Sequence, residues 1–133
     1  MKYVLALIVA LLLNASANLL MKIGMKPVAD AGGVLKDGVT AAVATVASSA
    51  PLMIGLMCFV LNAAFYMYAL QSRALKISLA YPIMVGGGYA LIAIIARFHP
   101  SLGERLTLVQ MLGVALVLVG ICLIAAQTEG AAA

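Results

Sequence analysis

Four stretches of the chain run through apolar residues without a single charge, each close to the ~20 residues a helix needs to cross a bilayer. The first extends from Tyr3 to Met21 and is closed by Lys22, Lys26 and Pro27. The second runs from Pro51 to Gln71, ahead of Arg73 and Lys76, and the third from Ile77 to Ala96, stopping at Arg97, His99 and Pro100. The fourth covers Thr107 to Ala126 and gives way to the polar run Gln127-Thr128-Glu129. Helices satisfy their own backbone hydrogen bonds in lipid, so the pattern predicts an all-α integral membrane protein: a single four-helix transmembrane domain, 1–133, forming a bundle.

The segment from Pro27 to Ala50 breaks this pattern with Asp30, Gly32, Gly33, Lys36, Asp37 and Gly38, followed by an Ala/Val/Thr/Ser run. It reads either as a flexible connection or as a loop leading into a short helix, one lying at the membrane interface or extending the second span. Lys2, the apolar run to Leu13 and Ala15-Ser16-Ala17 also imitate a signal peptide with its cleavage site. Apolar character resumes at Leu19-Leu20-Met21, which favours a spanning helix over a cleaved leader.

Composition agrees with the pattern: 66% of the 133 residues are hydrophobic and 9% are charged, where a soluble domain carries roughly a quarter. The net charge of +4 is small and dispersed, which argues against nucleic acid and fits basic residues placed at membrane interfaces. Lys2, Arg73 and Lys76 fall on one side, and Lys22, Lys26, Lys36, Arg97 and Arg105 on the other. That bias places both termini outside, by a margin small enough to allow insertion in both orientations and an antiparallel dimer. Cys58 and Cys122 lie within spans and read as small buried hydrophobes. His99 is the only histidine, and no metal-ligand cluster, nucleophile–base pair or phosphate-binding loop stands out, so neither an enzyme nor a cofactor is expected.

Function is expected where polarity is most costly. Asn14 and Asn18 share one face of the first helix, with Lys22 continuing that face, and Asn62 and Tyr66 lie one turn apart in the second span. Such amides either bond to neighbouring helices, for about 0.6 kcal/mol on average, or line a polar cavity for substrate. Tyr81 joins them as a candidate substrate contact. No Asp or Glu sits in mid-span, so no carboxylate is available to exchange a proton for a cationic substrate. Pro82 and the triplet Gly86, Gly87 and Gly88 predict a hinge in the third helix or close packing there. Gly113 and Gly120, with Leu116 and Val117 between them, form a small-residue face that suits a dimer seam or intramolecular packing.

The run Asn-Ala-Ser-Ala-Asn-Leu-Leu-Met-Lys at 14–22 resembles the first helix of the small multidrug resistance proteins, within the drug/metabolite transporter superfamily. Ala80-Tyr81 with glycines 86–88, Gly103-Glu104-Arg105-Leu106, and Gly113 to Gly120-Ile121 resemble that family's third helix, last loop and dimer-forming fourth helix. Drug-exporting members carry a glutamate where this chain has Asn14, which argues against proton-coupled drug export. The long first loop and Ala-Tyr-Pro of the third helix look more like the branch associated with moving aminoarabinose-phosphoundecaprenol. The Tyr-Pro and Gly-Glu-Arg-Leu-Thr pattern also resembles half of an EamA-type metabolite transporter.

The resemblance implies a multi-pass protein of the bacterial inner membrane, acting as a homodimer or a paralogous heterodimer among membrane lipids. The first functional expectation is a transporter or flippase subunit for an amphipathic, lipid-linked anionic substrate. An exporter of hydrophobic cations or small metabolites is the alternative, and a non-transporting partner subunit of a larger complex is the third.

Overall fold

A computed structural model describes residues 1–30, 32–33, 38–73, 75–98 and 106–130, with side chains to 126. Lys36, Asp37, His99, Pro100, Gly103, Glu104 and Arg105, and the side chains of Gln127, Thr128 and Glu129, lie outside that description. Among the described residues there are five helices: α1 (Lys2–Asp30), α2 (Val39–Ser48), α3 (Ala50–Ala69), α4 (Ile77–Phe98) and α5 (Leu108–Gly130). Four of them, all but α2, are long and apolar enough to cross a membrane.

Three of the expected spans agree with the helices to within a turn, but α1 does not stop at Met21. Lys22 and Lys26 are exposed and one turn apart, so both side chains leave from one face and the backbone ladder continues beneath them. Pro27 interrupts that ladder without ending it, because it falls in the last turn. The stop comes at the glycines. Gly33 N–H donates to Val28 O at 3.0 Å and Gly32 N–H to Ala29 O at 3.1 Å, the paired bonds of a Schellman ending, with Gly32 at φ 107°.

The short helix allowed for in the first connection is α2. It is separate from α3, since Ser49 takes an extended conformation (φ −89°, ψ 107°) and Pro51 occupies the first turn of α3. Ala42 is its buried residue, and α2 leans on α3 with Val39, Val43 and Val46 facing Met53 and Leu56 across an apolar groove of about 370 Å³.

Three of the long helices, α1, α3 and α4, share one buried cluster, and α5 packs on α4 outside it. α3 lies against α1, α1 against α4, and α5 against α4 alone to any large extent. The core of the four-helix arrangement is thus drawn from α1, α3 and α4, with α5 on the flank of this three-helix unit. The cause lies in side-chain size. The buried positions of the unit are mostly alanine and glycine, including Ala6, Ala10, Ala17, Gly55, Ala80 and Gly88, and among the described residues no large side chain is fully buried. In lipid, where the hydrophobic effect offers no drive between helices, such residues allow close backbone approach and dispersion contact. A Cβ on Gly55 would come within 3.1 Å of Ala17 O, and one on Gly24 within 2.7 Å of Leu52 Cγ. By contrast, none of the described α5 side chains is buried.

Candidate functional site

α1 and α3 run antiparallel, with the Tyr3 ring tilted against that of Tyr68 at one end (centroids 5.4 Å apart) and Met21 against Gly55 towards the other. That register places Asn62 of α3 opposite the α1 segment that carries Ala10 and Asn14. α4 runs alongside α1, and its glycines meet Leu11 and Asn14. The structure therefore brings Asn14, Asn62 and Gly88 to one depth, within the charge-free parts of their helices.

The polar side chains there are in different states. Asn18 Nδ2 donates to Asn14 O at 2.8 Å, and lies 3.5 Å from Asn14 Oδ1. The Asn14–Asn18 pair thus bonds along its own helix, a partnering that the spacing of four permits and that does not tie α1 to a neighbour. Asn14 Nδ2 rests against Gly88, where an added Cβ would come within 2.9 Å of it.

Asn62 is 5% exposed, the only buried polar side chain among the described residues, and its Oδ1 has no hydrogen-bond partner. Tyr66, one turn on, packs against the cluster of Ala6, Leu7, Ala10, Ala69, Ala80 and Met84, and its hydroxyl is likewise buried and unpartnered. Tyr81 on α4 is within electrostatic reach of Tyr66 and is itself 58% exposed. An unsatisfied polar group in lipid costs several kcal/mol by order of magnitude, so two of them one turn apart are a feature to be explained.

α4 is continuous from Ile77 to Phe98 through Pro82 and the glycine triplet. Each glycine seats a different neighbour. Gly86 takes Val117 and Ile121 of α5, Gly87 takes Leu11 with an added Cβ 2.7 Å from its Cδ1, and Gly88 takes the Asn14 amide. Close packing at this triplet is thus present in the structure. Of the four α5 residues marked as a dimer seam, Val117 turns partly towards α4. Leu116 is 63% exposed, and nothing lies within 4 Å of a Cβ added at Gly113 or Gly120.

One cluster escaped the sequence reading. Lys2 Nζ lies 5.2 Å from the centroid of the Tyr3 ring, which itself packs against Tyr68. Its signal was present, since tyrosines in the first turn of one span and the last turn of the next are the usual marks of a membrane interface. Cys58 is half-buried and Cys122 exposed, and both are free thiols, so neither is the fully buried hydrophobe expected. Among the described residues no group of three or more His, Cys, Asp or Glu is placed to hold a metal ion.

Fold and site together define an all-helical chain with four potential membrane-spanning helices and an uncharged polar centre. No protein-family model matches the chain, and no solved structure matches it. The uncharacterized protein y4nH of Sinorhizobium fredii (strain NBRC 101917 / NGR234) is 41% identical over 71 residues, which cover 53% of this chain and 57% of that relative.

Proposed function

We propose that the protein is a transporter or flippase subunit that moves an amphipathic, lipid-linked substrate across the bacterial inner membrane by alternating access. The observation that carries this reading is the unpartnered pair, Asn62 Oδ1 and Tyr66 OH, buried in a charge-free span. A helix kept in lipid only for packing gains nothing from such a pair, whereas a substrate headgroup can supply the missing hydrogen bonds. Asn14, Asn18 and Tyr81 are the other uncharged polar side chains assigned to the substrate. A cation transferred to this place meets no carboxylate, so the polar centre suits a headgroup bound by hydrogen bonds.

The three-helix unit is small, and a passage between two copies is the economical way to enclose a headgroup. The bare α5 face with Gly113, Leu116 and Gly120 is the surface offered to the second copy. Pro82 and the glycine triplet give α4 the place to bend between two access states.

The test is reconstitution of the full chain in vesicles with a fluorescent phosphatidylglycerol or a polyprenyl phosphate, scoring transbilayer movement. Movement that saturates, and that Asn14→Leu/Asn18→Leu abolishes while the dimer persists, is the expected result. A protein that moves neither lipid but takes up quaternary ammonium compounds would replace this reading with a cation exporter. One that moves nothing and co-purifies with a larger protein would make it a partner subunit.

A further inference from the structure

The end of the molecule built from the start of α1, the end of α3 and the start of α4 carries three cations: Lys2, Arg73 and Lys76, all exposed. They are not loosely hung. The connection between α3 and α4 is closed by Gln71 N–H to Tyr68 O at 3.2 Å and Ser72 N–H to Ala69 O at 3.2 Å. Leu75, between the two basic residues, packs against the buried cluster shared by α1, α3 and α4. Lys2 is held in turn against the Tyr3 ring, and Tyr3 against Tyr68.

Among the described side chains, no carboxylate lies at this end. Asp30, at the opposite end of α1, is the only carboxylate among the described side chains, and the first turn of α4 has none. Neither Arg73 nor Lys76 makes an ion pair with a described residue, while the Tyr3–Tyr68 ring contact lies in the first turn of α1 and the last turn of α3. Tyrosine rings belong at headgroup depth, so the three cations lie in the headgroup layer and face lipid phosphates.

We propose that Lys2, Arg73 and Lys76, with the Tyr3–Tyr68 pair beneath them, form a docking surface for the phosphate of an anionic membrane lipid. It stands apart from the transport reading, because it needs neither the buried polar pair nor a second copy. Positive residues that merely set orientation would be satisfied by any headgroup layer. Three exposed cations at one end of the molecule prefer an anionic headgroup over a zwitterionic one.

The experiment is native mass spectrometry of the full chain released from nanodiscs of phosphatidylcholine containing phosphatidylglycerol, counting each lipid retained. Retained phosphatidylglycerol in excess of its share is expected, falling roughly fivefold for each cation removed in Lys2→Gln, Arg73→Gln and Lys76→Gln. The control is Lys22→Gln/Lys26→Gln at the opposite end, which should keep the preference. Unchanged preference in the triple variant overturns the proposal, as does an equal loss in the control. A thermal shift with millimolar inorganic phosphate, removed by the same three substitutions, would make this a site for free anions and would also overturn it. Thermal unfolding of each variant in detergent confirms that it is folded before lipids are counted.

Discussion

The amide of Asn14 occupies the space that a side chain at position 88 would need: a Cβ on Gly88 would stand 2.9 Å from Asn14 Nδ2. The glycine and the asparagine are thus a matched pair across the α1–α4 seam. Gly88→Ala should turn the Asn14 carboxamide out of its place and lower transport. Its effect on stability should be small, because the amide is a movable end group and alanine gains up to about 1 kcal/mol of helix propensity. Unfolding in graded denaturant and the vesicle assay together check this; unchanged transport would detach Asn14 from the site.

Gly86 is the harsher test of the same triplet, because its neighbours are the branched side chains Val117 and Ile121. Gly86→Leu should push α5 off α4 and cost about 1–3 kcal/mol, the usual range for overpacking. The companion Gly86→Leu/Ile121→Ala should recover part of that loss, and failure to recover would place the contact elsewhere.

These glycines show what could be read from the sequence and what could not. Four charge-free runs announce four apolar helices, because bilayer thickness fixes both their length and their composition. Three consecutive glycines announce only that something comes close. Successive residues point about 100° apart around a helix, so Gly86, Gly87 and Gly88 face α5, Leu11 and Asn14 in turn. Which neighbour meets which glycine depends on how α1 and α5 pack on α4, and no local pattern encodes that. The same holds for the asparagines. Spacing puts Asn14 and Asn18 on one face, but only the packing of the helices leaves Asn62 buried with its Oδ1 unpaired.

Asn62→Leu should stabilise the protein and stop transport. Leucine has nearly the shape of asparagine, and it removes a buried unsatisfied group worth about 1–3 kcal/mol. Tyr66→Phe, which deletes only the hydroxyl, should act in the same direction. A rise in melting temperature with lost transport is the expected outcome, the exchange of stability for function often met at binding sites. A fall in melting temperature would show that Asn62 has a partner in the membrane and is a structural residue.

Pro82 lies inside α4 and lacks the N–H that would bond to Ser78 O, one turn back. Pro82→Ala restores that bond, stiffens α4 and should raise stability by about 1–3 kcal/mol, bounded by the cost of proline in a helix interior. If α4 bends during transport, the same substitution slows it. Transport at the original rate in a more stable Pro82→Ala variant would remove the hinge from the mechanism.

Substrate binding should be flat between pH 5 and 8. Asn14, Asn18 and Asn62 do not ionise, so none of these amides changes charge across that range. A protonated state therefore neither gains nor loses affinity at the site, and the slope of log Kd against pH is zero by linkage. Isothermal titration in detergent, with a lipid whose headgroup keeps its charge over the range, measures that slope directly. A slope near one would mean that a proton is bound or released with each substrate molecule. An ionisable group outside the chamber, at one of the basic ends or on a second subunit, would then have to be coupled to it.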